Sequence, residues 1–372
     1  MLSINLQRLT DKQPIMRYNE SAWWLTLWKK SDEFGFLAQV QSQVLQQCLK
    51  DLDRAFSDGF DRKQPLKRMP RFKKKGSNDS FRFPQSVRVE GNRVFLPKIG
   101  LVRFRQSRPI EGLIRSATVS RRGKHWFVSI LTAREIAEPI HQSSMVTGID
   151  RGVVNLATLS DGSVFEGSKP LKRLAKKLAR EQRKLARKTK FSNNWKKQRE
   201  RITRLHIKIA DARNDAIHKA TTIISKNHAV IVLEDLRTKN MTASAKGSID
   251  EPCTNVRQKA GLNRSILDMG WFEFYRQLEY KQRWRGGQVI LINPRNTSRK
   301  CSACGFTDKV NRQTQAQFSC MACGHTENAD VNAAKNILAA GYAVQACEGI
   351  GGYAPNEAGT RGAAMRPLPL AA

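Results

Sequence analysis

Two cysteine pairs, Cys301-x2-Cys304 and Cys320-x2-Cys323, stand 15 residues apart. Each pair puts two thiolates on a tight turn, with Gly305 and Gly324 directly after the second cysteine to let the backbone fold round an ion. Two such knuckles make the closed four-thiolate tetrahedron that structural Zn2+ prefers, with no position left open for catalysis. The zinc predicted here is therefore structural. His325, beside the last cysteine, is not needed as a ligand and is expected in solvent. Cys48, Cys253 and Cys347 are isolated, and seven cysteines in 372 residues are too few for a disulfide scaffold.

The second set of chemical groups is three carboxylates, conspicuous because acids are scarce: 32 Asp and Glu against 66 Lys and Arg, a net charge of +34. Asp150 ends an apolar run just before Gly152, Glu234 holds the matching place at the end of a second run, and Asp330 lies where a helix begins. Each alone has an ordinary reading, as a turn former, a solvated strand end or an N-cap. Together, two carboxylates at the C-terminal ends of buried strands and a third at a helix start are what a divalent-metal cluster needs. Hard oxygen ligands hold Mg2+ with positions left for phosphate, and a pair of such ions activates water and stabilises the leaving oxygen. The basic surroundings are expected to keep the three ionised. Asp235, on the opposite face of the strand from Glu234, is the natural negative control.

The elements that must position these groups fall into two compositions. Residues 1–60 read as helical, with 36–60 a single amphipathic helix ending near Gly59. A basic loop follows at 62–75, with apolar anchors at Leu66 and Phe72 and an expectation of mobility. Residues 81–133 alternate in short runs broken by turns, about six strands of a small barrel. Arg82, Arg88, Arg93, Arg103, Arg105 and Arg115 face outward in that pattern.

Beyond a linker at 138–144, runs at 146–151 and 153–159 read as buried strands, with Asp161-Gly162 a tight hairpin. Residues 169–213 hold 18 Lys or Arg against three acids and read as a long helical hairpin, basic outside and thinly apolar inside. A buried strand (229–234), a flexible loop (239–263), one helix (265–284) and another buried strand (288–292) lead to the cysteines. A helix at 329–340 and a Gly-, Ala- and Pro-rich tail expected to be disordered complete the chain. Trp23, Trp24, Trp28, Trp271 and Trp284 fall in helical segments and are expected in cores.

So large an excess of one charge sign points to a polyanion, nucleic acid before a membrane surface. No apolar run reaches the ~18 residues of a membrane span. The start, MLSINLQRLTDKQ, lacks a secretory signal, so an intracellular, reducing home, the cytoplasm, is the expected compartment.

Gly148-Ile-Asp150-Arg-Gly152, Val232-Leu-Glu234-Asp-Leu236, Thr297-Ser298 with the knuckles, and Ala329-Asp330-Val-Asn332-Ala-Ala-Lys-Asn336 resemble the TnpB (OrfB) proteins of bacterial insertion sequences. So do the run 45–56, Pro70-Arg-Phe-Lys-Lys-Lys75 and the run 261–271, and the likeness extends over about residues 20–345. The resemblance implies an α/β multidomain protein. An N-terminal wedge-like β-barrel with a helical insertion (1–137) would precede an RNase H-like RuvC domain (138–297) with an inserted zinc ribbon (298–326), a RuvC C-terminal helix (327–347) and the tail (348–372). It implies an RNA-guided DNA endonuclease, with Asp150, Glu234 and Asp330 the RuvC triad on two Mg2+ ions, and Cys301, Cys304, Cys320 and Cys323 the zinc ligands. Guide RNA from the element's end and a double-stranded DNA target are the implied partners, with the protein a monomer on its RNA. Family members open with a strand and helix to which Met1–Asn5 has no counterpart, so about 30 residues of that segment are expected to be absent. The alternatives are a nucleic-acid-binding regulator with an inert site, or an accessory protein in transposition. Strand transfer by the chain alone is disfavoured, because its five tyrosines lack a His-x-His companion motif.

Overall fold

The computed structural model describes residues 1–64, 67–73, 76, 79–245 and 254–350, the last four for backbone only. Leu66, Cys253, the side chain of Cys347 and the tail beyond residue 350 lie outside the described residues. The chain divides into two compact units, the first ending at Glu135.

In the first unit three helices precede the strands: α1 (Leu2–Thr10), α2 (Tyr18–Trp28) and α3 (Ser42–Phe60), with a short 3-10 turn at Gly35–Gln39. The single helix expected over 36–60 is thus interrupted. Gln41 adopts extended backbone, and its side chain accepts the Val44 N–H at 2.9 Å, which caps a new helix rather than continuing the old turn. Helix α3 then buries Val44 and Phe56. Phe72, expected as an anchor, is 67% exposed.

Strands β1 (Ser80–Phe83), β2 (Arg88–Glu90), β3 (Arg93–Leu96), β4 (Gly100–Arg103), β5 (Leu113–Arg122) and β6 (His125–Ala133) pair antiparallel as two sheets, β1-β5-β6 and β2-β3-β4. Alternation along each strand sends Phe83, Ala117, Val119 and Ile130 from one sheet and Val94 and Leu96 from the other into a common core with Val44. The six arginines marked as outward-facing are all exposed.

The second unit opens with β7 (Val146–Asp150), β8 (Asn155–Leu159) and β9 (Val164–Glu166), followed by the helices α4 (Pro170–Ala186) and α5 (Asn193–Asn227). Next come β10 (Val230–Glu234), α6 (Thr238–Met241), α7 (Val256–Met269), α8 (Trp271–Arg285) and β11 (Gln288–Ile292). Two short strands, β12 (Gln317–Ser319) and β13 (Thr326–Asn328), lead into α9 (Ala329–Ile350). The main sheet runs β11-β10-β7-β8-β9, with β10 parallel to both neighbours and the β8 and β9 pairings antiparallel.

The period of two along the central strands divides the core into two layers. Ile149, Ile231 and Leu233 face Ile217 and Ile224 of α5 and Phe274 and Leu278 of α8. Val232, Ile290 and Ile292 face Ile337 of α9. Gly148 also lies under α9: a Cβ there would stand 2.2 Å from the Ala334 carbonyl oxygen, so only a residue without a side chain lets the helix come this close.

Three helical boundaries in the second unit differ from expectation. Helix α5 runs well past residue 213, because its last turns bury Ile217, Ala220 and Ile224 beneath the sheet. The single helix expected at 265–284 is two, meeting at Gly270 with φ +72°, and α7 begins at Val256 inside the expected loop. Hydrogen bonds from Lys259 to the Met241 carbonyl (2.7 Å) and from Asn263 to that of Thr242 (3.0 Å) hold α7 against α6, and apolar periodicity does not register such bonds. Asp268, buried near the end of α7, accepts the Leu171 and Lys172 backbone N–H groups at 3.1 Å each and so caps α4.

Candidate active site

Asp150 shares a strand face with Gly148, and Glu234 with Val232, so alternation turns both carboxylates toward the layer that holds α9. Parallel pairing of β7 and β10 ends with Leu233 beside Ile149, so one step further Glu234 stands beside Asp150 on the neighbouring strand. These are the carboxyl ends of parallel strands, where open α/β sheets present their sites. Asp330 enters from the first turn of α9. It is not the N-cap: the Asn328 side chain accepts the backbone N–H groups of Asp330 and Val331 at 3.0 and 3.3 Å. That leaves the Asp330 carboxylate free of cap duty.

Burial raises all three carboxyls above their ordinary values, an effect that opposes the basic surroundings expected to keep them ionised. Burial pushes Asp150 up to about 7, Glu234 and Asp330 add to the rise, and Arg312 and Arg151 oppose it. Both other acids therefore act electrostatically on Asp150. Glu234 is raised by burial and eased by a short hydrogen bond from Thr297 Oγ1 to Oε1 (2.6 Å). Asp330 is raised by burial and eased by Arg312, whose guanidinium lies 3.3 Å away. Glu234, read as a possible solvated strand end, is 8% exposed, whereas Asp235 is exposed as expected of the control. Arg151 is buried, donates to the Glu234 backbone carbonyl and is pushed down to about 10 by desolvation, still well above neutrality. Thr158, paired with Asp150 across β8, has a buried hydroxyl with no partner among the described residues.

The four cysteines converge. Their sulfurs all lie within 4.8 Å of one another, with Cys301 to Cys323 at 3.8 Å and Cys304 to Cys320 at 3.6 Å. A tetrahedron of Zn–S bonds near 2.3 Å has edges of about 3.8 Å, so donor set and spacing both suit a metal ion such as zinc. Gly305 and Gly324 take φ of +81° and +72°, the left-handed turn each knuckle requires. His325 is not solvated as expected: its ring lies half-buried, 3.5 Å from Glu327.

Several residues that the sequence did not single out as chemically important complete the site. Arg312 lies between the knuckles and reaches Asp330. Asn336 donates to the carbonyls of Thr297 (2.9 Å) and Lys300 (2.7 Å), while Asn332 donates to Lys300 and accepts the Ser302 N–H. One helix thus carries Asp330 and also fixes the segment that presents Thr297 to Glu234. A surplus of polar groups at inward positions of α9, Asn332 and Asn336 four residues apart, was the available signal. Trp271 is buried and donates to the Gly152 carbonyl (3.2 Å), but Trp23, Trp24 and Trp284 are more than a third exposed, against the expectation of core positions.

The chain is similar to known proteins over most of its length. Residues 127–245 match the OrfB_IS605 family, described as "Probable transposase", and residues 271–337 match the "Cas12f1-like, TNB domain". The chain is 53% identical over 332 residues, 89% of its length and 82% of the relative's, to "Putative RNA-guided DNA endonuclease InsQ" of Escherichia coli K12. It is 35% identical to a "Putative RNA-guided DNA endonuclease" of Streptomyces pristinaespiralis, over 90% of this chain and 80% of that one. Over 87 residues, 23% of this chain and 20% of the relative, it is 41% identical to "CRISPR-associated endodeoxyribonuclease Cas12f1" of Sulfoacidibacillus thermotolerans. With such identity sustained over most of both InsQ and this sequence, the chain belongs to the TnpB (OrfB) family.

Proposed function

We propose that this protein is an RNA-guided, Mg2+-dependent DNA endonuclease of an insertion sequence, acting in the bacterial cytoplasm on double-stranded DNA. The observation that carries the proposal is the placement of Asp150 and Glu234 at the carboxyl ends of the neighbouring strands β7 and β10, with Glu234 and Asp330 both near enough to raise Asp150. Burying like charges together is unfavourable unless a cation is to share them. Hard oxygen donors, with the unpartnered Thr158 hydroxyl beside them, suit Mg2+. The names of the relatives support nuclease activity and a guide. The five-stranded sheet supports reading 138–297 and 327–347 as an RNase H-like RuvC domain, the converging cysteines support 298–326 as its zinc ribbon, and the common core of the two N-terminal sheets supports a wedge-like barrel.

Two Mg2+ ions held there would activate water for in-line attack on a phosphodiester and stabilise the departing oxygen, leaving 5′-phosphate and 3′-hydroxyl ends. The chain's own residues prepare that step. Thr297 fixes one oxygen of Glu234, so the other is the freer to serve as a ligand. Arg312 holds Asp330 in place and supplies positive charge next to the site. Arg151, tied to the Glu234 carbonyl, locks the ends of β7 and β10 together. The exposed bases of α4 and α5 neutralise phosphates along the bound strands.

The test is to purify the protein from a host carrying its element, sequence the RNA that accompanies it, and offer DNA matching that RNA. RNA from the element's end and Mg2+-dependent cutting are expected, with Asp150→Ala abolishing cleavage while RNA still binds. Failure to enrich such RNA would remove the guided reading, and undiminished cutting by Asp150→Ala would remove the acid from the mechanism.

A further inference from the structure

The turn between α4 and α5 is built against local preference. Ser192 N–H donates to the Thr189 carbonyl (3.2 Å), closing a turn whose third residue is Phe191 with φ +68°. Turns ordinarily place Gly or Asn in this left-handed region, and a bulky side chain there is strained. The ring is 70% exposed, so burial does not repay the strain.

The ring is nonetheless held. It lies 5.5 Å from Trp195, centroid to centroid, and the Arg199 guanidinium sits 5.6 Å from the Trp195 ring. Residues 191, 195 and 199 follow one another at four-residue steps, so aromatic, aromatic and guanidinium form a single row. The Ser192 hydroxyl accepts the Trp195 N–H (3.2 Å) and fixes the row at its root. Further down, Gln198 donates to Glu181 (2.7 Å) and clasps the two helices together. Of the 18 bases in 169–213, 15 are exposed, among them Lys190, Lys196 and Lys197 around the tip.

We propose that this tip is a stacking platform for an unpaired base of the bound RNA, with Phe191 as the ring that meets it. The inference rests on the RNA-binding part of the function proposed above. An exposed ring backed by a second, partly buried aromatic and set among cations is an arrangement by which proteins hold single-stranded nucleic acid. The length of α5 argues for RNA over the DNA target: about 35 Å of helix separates Asn193 from Ile217, which packs under the carboxylate-bearing sheet. A base gripped at the tip is therefore remote from the one being cut. A folded RNA presents unpaired bases in loops and bulges well away from any guide-paired segment, and such a base is what a platform at this distance can hold.

The test measures binding of full-length protein, stripped of nucleic acid, to three fluorescent 20-mers: oligoadenylate RNA, an abasic ribose-phosphate chain of equal charge, and oligodeoxyadenylate. Phe191→Ala is expected to weaken oligoadenylate RNA binding by about 5- to 100-fold and to leave the abasic chain unaffected, with Phe191→Trp restoring affinity. Phe191→Asn suits the left-handed backbone, so it is expected to lose RNA affinity without lowering the thermal midpoint, an outcome a packing role would reverse. Unchanged RNA binding by Phe191→Ala, or equal loss on the abasic chain, overturns the tip proposal alone. A loss as large on oligodeoxyadenylate overturns the choice of RNA. Failure of the unaltered protein to bind RNA at all overturns both this inference and the guided reading.

Discussion

Gly148→Ala is the sharpest test of how the site is assembled, because it changes no charged or polar group. The added Cβ would lie 2.2 Å from the Ala334 carbonyl oxygen, 2.5 Å from the Leu338 nitrogen and 2.9 Å from the Leu338 Cα. All three are helix backbone, so no side chain can swing aside, and α9 must retreat from β7 by about 1 Å to restore van der Waals separation. Overpacking of this kind costs about 1–3 kcal/mol, read as a lower midpoint in urea denaturation. Asp330 lies one helical turn before Ala334, so a rigid α9 carries it away from Asp150 and Glu234 by a similar distance. A misplacement of 1 Å at reacting groups lowers rates by about 100-fold, so single-turnover cleavage of DNA matching the co-purified RNA should fall by that order. The control is Gly261→Ala on α7, where a Cβ meets nothing within 4 Å. That change should stabilise the protein by about 0.5–1 kcal/mol and leave cleavage intact. If Gly148→Ala melts and cuts as the unaltered protein does, α9 does not lie against β7 as described, and the reasoning fails.

Two further outcomes follow from the site's electrostatics and its metal. The Asp150 carboxyl ionises near 3.8 when unfolded and about 7 when folded, so between those values the folded state holds the extra proton, and metal-free stability should fall as pH rises from about 4 to 7. Asp150→Asn should flatten that slope and stabilise the metal-free protein at pH 8 while abolishing cleavage; a slope unchanged in denaturation midpoints against pH would count against buried carboxylate coupling. Elemental analysis should find one zinc per chain, lost in Cys320→Ser. Because Cys301, Phe318, Cys320 and Ala329 share one small core at the start of α9, that loss should also impair cleavage; full activity without zinc would separate the ribbon from the site.

Much of the chemistry was legible because it was carried by residue type and spacing. The cysteine pairs announce a metal shell, since few other demands place four thiols at two-residue intervals. Asp150 and Glu234 stood out as acids at the ends of apolar runs in a basic chain. What stayed hidden depends on contacts between distant segments. Asn328, not Asp330, caps α9, a choice made by side-chain geometry. Arg312 looks unremarkable in the linear chain, and Thr297 and Asn336, though part of the family-like motifs, acquire their roles only when α9 and the knuckle segment meet. The start of α7 at Val256 was likewise invisible to apolar periodicity, because its first turns are held to α6 by polar bonds, while only Ile266 and Met269 near its end join the core.

The sequence by itself determined which groups could bind metal, the separation of a basic hairpin from buried strands, and a charge excess of the sign that attracts polyanions, because residue type, spacing and charge act locally or sum over the chain. Only the tertiary structure decided that Glu234 and Asp330 both act on Asp150 and that burial raises all three. Their approach depends on a glycine that admits a helix to a strand nearly 190 residues earlier in the chain, and desolvation depends on everything packed around a group rather than on the group itself.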